Sequence, residues 1–166
     1  MKRSSLTLSG AVLILIAVTV IFAGCSVHTP AQTPSAVPAP YQDAEFFSTG
    51  AESGRVLGPV ISKISDDASR NDIAALGADS AQLSSLAGNY YFQMKDINVS
   101  PEYRAWKTNY LMGLLDAQTA ADYFSKSAIA AQSGDYPTAL TYLEQGNTLF
   151  KRSNVYLNKA AESIPE

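Results

Sequence analysis

From residue 101 onward an apolar or small side chain recurs every three or four positions. The series runs Tyr103, Trp106, Tyr110, Leu114, Ala117, Ala121, Phe124, Ala128 and Ala131, then Tyr136, Ala139, Leu143, Gly146, Phe150, Ser153, Leu157 and Ala160. A mean step of about 3.5 marks the seam of an amphipathic helix, so the pattern predicts two helices of about 30 residues. Both starts are punctuated: Ser100-Pro101-Glu102 offers an N-cap hydroxyl, a proline at the first helical position and an early acid, and Gly134-Asp135 offers a terminator followed by a cap. Upstream, Ile73, Leu76, Ser80, Leu83, Ala87, Tyr90, Met94 and Ile97 keep the same spacing. Phe47, Gly50, Gly54, Leu57, Ile61, Ile64 and Ala68 keep it in another phase, and the polar stretch at 65–72 separates the two series, which predicts a turn there.

The expected fold is all-α: an antiparallel four-helix bundle with helices near 43–68, 71–97, 101–131 and 136–160. One helix from 56 to 97 would span roughly 63 Å at 1.5 Å per residue and overhang neighbours of roughly 45 Å. Gly50, Gly54 and Gly58-Pro59 lie inside the first helix, which is therefore expected to be kinked or broken. A three-helix bundle with a long bent first helix is the alternative. A second apolar row, Tyr142, Leu149 and Tyr156, widens the face of the last helix, as a bundle with more than one neighbour per helix requires. Small residues every seventh position, Gly113, Ala120 and Ser127 on the third helix and Ala139, Gly146, Ser153 and Ala160 on the fourth, predict close approach of two backbones. A tight turn at Gly134 sets Gly113 against Tyr156, Ala120 against Leu149, Ser127 against Tyr142 and Gly146 against Tyr123. Consecutive helical residues point about 100° apart, so one ring of Tyr90-Tyr91-Phe92 faces outward. Phe92, with Tyr91, is the candidate partner patch; Tyr90, Trp106 and Tyr110 are the candidate ligand pocket between helices.

The first 42 residues follow a different pattern. Lys2 and Arg3 precede an uncharged run from Leu6 to Phe22, which ends in Ala23-Gly24-Cys25. That is the layout of an export signal, residues 1–24. Small residues before a cysteine resemble the lipobox of prokaryotic lipoproteins, with Phe22 where that motif has leucine. The resemblance implies that the Cys25 thiol receives a diacylglycerol and that Cys25 becomes the new N-terminus. The apolar run, roughly 17 residues, is also near the lower limit for spanning a bilayer, so an uncleaved N-terminal helix is the alternative anchor. In both cases Lys2 and Arg3 stay inside and the rest of the chain lies on the outer face of the cytoplasmic membrane. Between Ser26 and Gln42, Pro30, Pro34, Pro38 and Pro40 alternate with uncharged residues. This makes residues 25–42 a lipidated cysteine and an extended tether reaching roughly 50 Å, able to hold the helical domain, 43–166, clear of the lipid.

Composition narrows the chemistry. Of 166 residues 16% are charged, and the net charge of −3 becomes −5 once residues 1–24 are removed, a surface unsuited to nucleic acid. One cysteine excludes an internal disulfide, and one histidine, His28 in the tether, leaves no Ser-His-Asp set and no metal site. The carboxylate pairs Asp66 with Asp67 and Asp116 with Asp122 lack the Glu plus Glu-x-x-His pattern of di-metal bundles and read as turn and surface charges. No cofactor and no catalysis are expected. Asn98-Val99-Ser100 is an N-glycosylation sequon in an interhelical turn, which makes Asn98 a candidate modification site, with Pro101 disfavouring transfer.

Gly134-Asp135-Tyr136 followed by Ala139-Leu140, Tyr142-Leu143 and Gly146 resembles the hairpin turn of a tetratricopeptide repeat over about 13 residues. Lys126, Ser127 and Lys151 depart from that repeat and no second copy lies 34 residues away, so it reads as convergent hairpin chemistry. The overall layout resembles small helical lipoproteins of unknown function from prokaryotic, particularly archaeal, genomes, a resemblance that implies no activity. The expected function is a lipid-anchored extracytoplasmic bundle that binds or scaffolds an envelope protein; a small-molecule-binding or sensory bundle is the alternative.

Overall fold

The computed structural model describes residues 41–164. They form α1 (Asp43–Arg70), α2 (Ile73–Met94), a single 3-10 turn (Pro101–Tyr103), α3 (Arg104–Gln132) and α4 (Tyr136–Glu162). The fold is an all-α four-helix bundle in which consecutive helices pack side by side, with no strand among the described residues. The export signal, Cys25, His28 and the tether up to residue 40 lie outside the described residues.

Two of the three connections follow local side-chain chemistry. Asn71 adopts the left-handed conformation (φ 57°), its N–H and that of Asp72 return to the carbonyls of Ala68 and Asp67, and the Asp72 carboxylate accepts the Ala75 N–H at 3.0 Å. Between α3 and α4, Gly134 takes φ +81°, a value that costs glycine nothing, and the Asp135 carboxylate caps α4 through the Thr138 N–H at 3.2 Å. The third connection differs from expectation. Helix α2 stops at Met94, and Ile97 and Val99 remain buried within an irregular loop. Ser100 does not cap: its amide donates to the Asp43 carboxylate at 2.8 Å while its buried hydroxyl has no hydrogen-bond partner, so α3 is entered through the 3-10 turn. Proline at 101 disfavours helical geometry at Ser100, which keeps the loop extended up to that point.

Helix α1 is continuous through Pro59, neither broken nor replaced by the long bent helix of the three-helix alternative. Pro59 and Arg55, whose carbonyl loses its amide partner, are both exposed, so water can take that place. The buried face of α1 is rotated from the expected seam. It runs Phe46, Gly50, Ser53, Leu57, Val60, Ile64 and Asp67, leaving Phe47, Gly54 and Ile61 half-buried.

The α3–α4 pair packs closely through its small residues. The Ser153 hydroxyl donates to the Gly113 carbonyl at 2.8 Å and the Ser127 hydroxyl to the Ala139 carbonyl at 2.7 Å. The expected pairing of large with small holds, but the large partners are one residue further along. Leu157 rather than Tyr156 lies over Gly113, and Phe124 rather than Tyr123 lies over Gly146. Tyr136, placed on the α4 seam by its spacing, is 51% exposed. It sits in the first turn of α4, beyond the end of α3 at Gln132, where no neighbouring helix covers it.

Candidate functional site

Trp106 and Tyr110 of the expected ligand pocket come together, stacked at 5.1 Å and 19°. Phe46 closes on Trp106 edge-on at 4.8 Å, Phe47 lies tilted against it at 4.6 Å and 34°, and Tyr103 meets Phe47 edge-on at 4.8 Å. The rings pack where Gly50 has no side chain: a Cβ there would lie 3.2 Å from Trp106 and 3.5 Å from Met94. The Tyr110 hydroxyl donates to the Gly50 carbonyl at 2.9 Å, and the Ser53 hydroxyl, 2.6 Å from the phenol oxygen, completes a buried triangle. Protein side chains thus occupy the space between α1 and α3 at this level. Tyr90, on α2, is half-buried against the edge of the core.

An open groove of about 480 Å³ lies elsewhere, between α3 and α4, lined by Tyr123, Thr141, Glu144, Gln145, Thr148 and Leu149. Its two threonine hydroxyls donate to carbonyls of their own helix, Thr141 to Pro137 and Thr148 to Glu144.

Phe92 faces outward with 61% of its surface exposed; half-buried Tyr91 meets it edge-on at 5.6 Å and the Lys95 ammonium stands 5.2 Å from its ring centre. A second apolar group surrounds the α3–α4 turn: Ile129 is 61% exposed, Tyr136 51% and Leu140 38%. Sequence spacing passed over Ile129 and Leu140. The signal that could have found them is their position directly after the seam residues Ala128 and Ala139, where a large apolar side chain has no place in the core.

Asp116 is a correction to the expected surface charge. It is 4% exposed and lies between α3 and α4, where Arg152 holds it in a bidentate pair, Nε to Oδ2 at 2.5 Å and Nη2 to Oδ1 at 2.6 Å. These hydrogen bonds to Asp116 raise the Arg152 guanidinium above its ordinary range. Asp67 is likewise buried rather than on the surface of the turn, with Oδ1 accepting from Arg70 at 2.7 Å and Oδ2 without a partner. Asp66 and Asp122 are exposed, and Asp122 accepts the Ser84 hydroxyl of α2 at 2.6 Å. Arg152→Ala strands the Asp116 carboxylate. Because Arg152 itself is more than half exposed and screened by water, the urea midpoint is expected to fall by less than the loss of a fully buried pair would cause, with Arg152→Lys intermediate.

Asn98 is exposed, and its carbonyl accepts the Gln42 N–H at 2.7 Å. Lys107 reaches the neighbouring Ile97 carbonyl. Together with the Asp43–Ser100 bond these contacts pin the start of α1 to the α2–α3 connection, so the chain enters the domain at the end that carries Phe92. Among the described residues no three His, Cys, Asp or Glu side chains group to hold a metal ion, and no helix is long and apolar enough to cross a membrane. Compared with known proteins, the chain matches no family model, no curated protein and no solved structure.

Proposed function

We propose that the chain is a lipid-anchored extracytoplasmic bundle, without catalysis, that binds another envelope protein through the end of the domain opposite its tether. The observation that carries this reading is polarity. The chain enters beside Asn98, while Ile129, Tyr136 and Leu140 stand exposed around the α3–α4 turn at the other end. Large apolar side chains grouped on a surface are a recognised mark of protein contact. Cys25, after its apolar run, supplies the anchor through the lipobox resemblance, and the tether gives the domain reach.

Crosslinking from intact membranes tests it. A reproducible partner is expected with the wild-type chain and a loss of most of that adduct with the double variant Ile129→Asp, Leu140→Asp, whose exposed positions leave the melting temperature within a few degrees. Failure to recover a partner, or a partner insensitive to both substitutions, would overturn the binding surface. Intact mass tests the anchor separately: a diacylglyceryl-modified chain beginning at Cys25 is expected, and the unmodified mass of residues 1–166 would overturn it.

A further inference from the structure

We infer that the opposite end of the bundle, built around Tyr91, Phe92 and Lys95, rests on the lipid surface to which the chain is tethered and so points the α3–α4 turn outward. The inference rests on the anchoring proposed above and gives Phe92 a lipid rather than a protein partner.

Place in the fold is the first argument. Residues 1–40 precede the described domain, and the domain begins at the α2–α3 connection, where the Gln42 amide meets the Asn98 carbonyl and the Ser100 amide meets Asp43. Phe92 lies two residues before the end of α2, within one turn of the start of that connection. Chain leading to the anchor therefore leaves from the end that carries the exposed ring.

Chemistry is the second. Phe92 protrudes among exposed Gln93, Lys95 and Asp96 rather than lying in a groove, with Tyr91 packed edge-on behind it. An apolar ring backed by a tyrosine, with a lysine ammonium 5.2 Å from the ring centre, is an amphipathic combination suited to a bilayer interface, where the ring meets the acyl boundary and the ammonium the headgroups. The helix that carries it adds little desolvation cost, because Asp79 is the one charged residue between Ile73 and Met94. Lys95 is balanced by Asp96 at 3.6 Å, so the contact does not depend on anionic lipid.

The tether makes so small a patch sufficient. A linker as short as the 17 residues from Ser26 to Gln42 keeps the patch at a local concentration on the order of millimolar relative to the surface, where a contact too weak to recruit a free protein still orients an attached one. Its reach of roughly 50 Å is an upper bound on separation and permits contact.

The test uses the full chain in phosphatidylcholine vesicles, with a nitroxide on Gln93→Cys, beside the intact Phe92 ring, or, for reference, on Ile129→Cys, each read against wild type treated alike. Both positions are exposed, so neither substitution removes core. Oxygen, which concentrates in lipid, is expected to relax the label at 93 several-fold more than a water-soluble nickel chelate does, with the opposite order at 129. If both positions read as aqueous while the chain stays on the vesicles, the inference is overturned and Phe92 is left for a protein partner. A wild-type chain that takes up label on Cys25 and leaves the vesicles would overturn the anchoring reading, and this inference with it.

Discussion

Trp106→Ala is expected to cost about 3–5 kcal/mol, a fall in melting temperature on the order of 10–20 °C. The indole is 7% exposed and touches rings from two helices: Phe46 and Phe47 of α1 and Tyr110, one turn along α3. Its removal opens a void whose walls cannot collapse, because Phe46 is fully buried and the Tyr110 hydroxyl is tied to Gly50 and Ser53. The same cluster holds the start of α1, so the loss should fall unevenly. Amide hydrogen exchange is expected to rise first across α1, which meets α3 at this level through these side chains, while the close-packed α3–α4 pair keeps its protection. A change in melting temperature of only a degree or two would mean that the space around Trp106 was poorly packed and would return it to the role of a binding pocket.

What was legible in the sequence was set by neighbours along the chain. Asp72 and Asp135 cap helices three residues on, and Gly134 supplies a positive φ that the turn needs; each is a local event that composition announces. The heptad spacing likewise predicts four helices and pairs large with small across α3 and α4. It could not choose between Tyr123 and Phe124 opposite Gly146, because both are aromatic and differ by about 100° in direction, and only the packing of Phe124 on Phe150 at 6.2 Å decides. The rotation of α1 was hidden for a related reason. Ser53 and Asp67 look like surface residues until Tyr110 and Arg70 are placed beside them. Asp116 depends on an arginine 36 residues away, so no local rule reveals its burial. The exposed turn was missed because periodicity counts the residues on a face without asking whether the neighbouring helix is long enough to cover them.

Gly146→Leu is the sharper test of the α3–α4 contact, with an expected loss of about 3 kcal/mol, at the upper end of ordinary overpacking. A Cβ on Gly146 would already lie 2.5 Å from Phe124 Cε1, 2.7 Å from Cδ1 and 3.2 Å from the Ala120 carbonyl oxygen. Phe124 is 1% exposed and braced by Phe150, so it has no room to retreat, and the carbonyl belongs to the helix backbone. Even Gly146→Ala should fail to deliver the gain of about 1 kcal/mol that alanine normally brings inside a helix. Gly113 makes the contrast: a Cβ there would lie 2.6 Å from Leu157 Cδ2 and 2.7 Å from its Cγ, but Leu157 is half-buried and can turn toward solvent, and the nearest backbone atom, the Ser153 carbonyl oxygen, is 3.4 Å away, so Gly113→Ala should cost less than Gly146→Ala. The one-residue difference in register has its own readout. Phe124→Leu should recover part of the stability lost in Gly146→Leu, and Tyr123→Leu should recover none, measured as coupling energies from urea midpoints. Coupling to Tyr123 in place of Phe124 would restore the register expected from spacing alone and rotate α3 by one residue against α4, which would also separate Asp116 from Arg152.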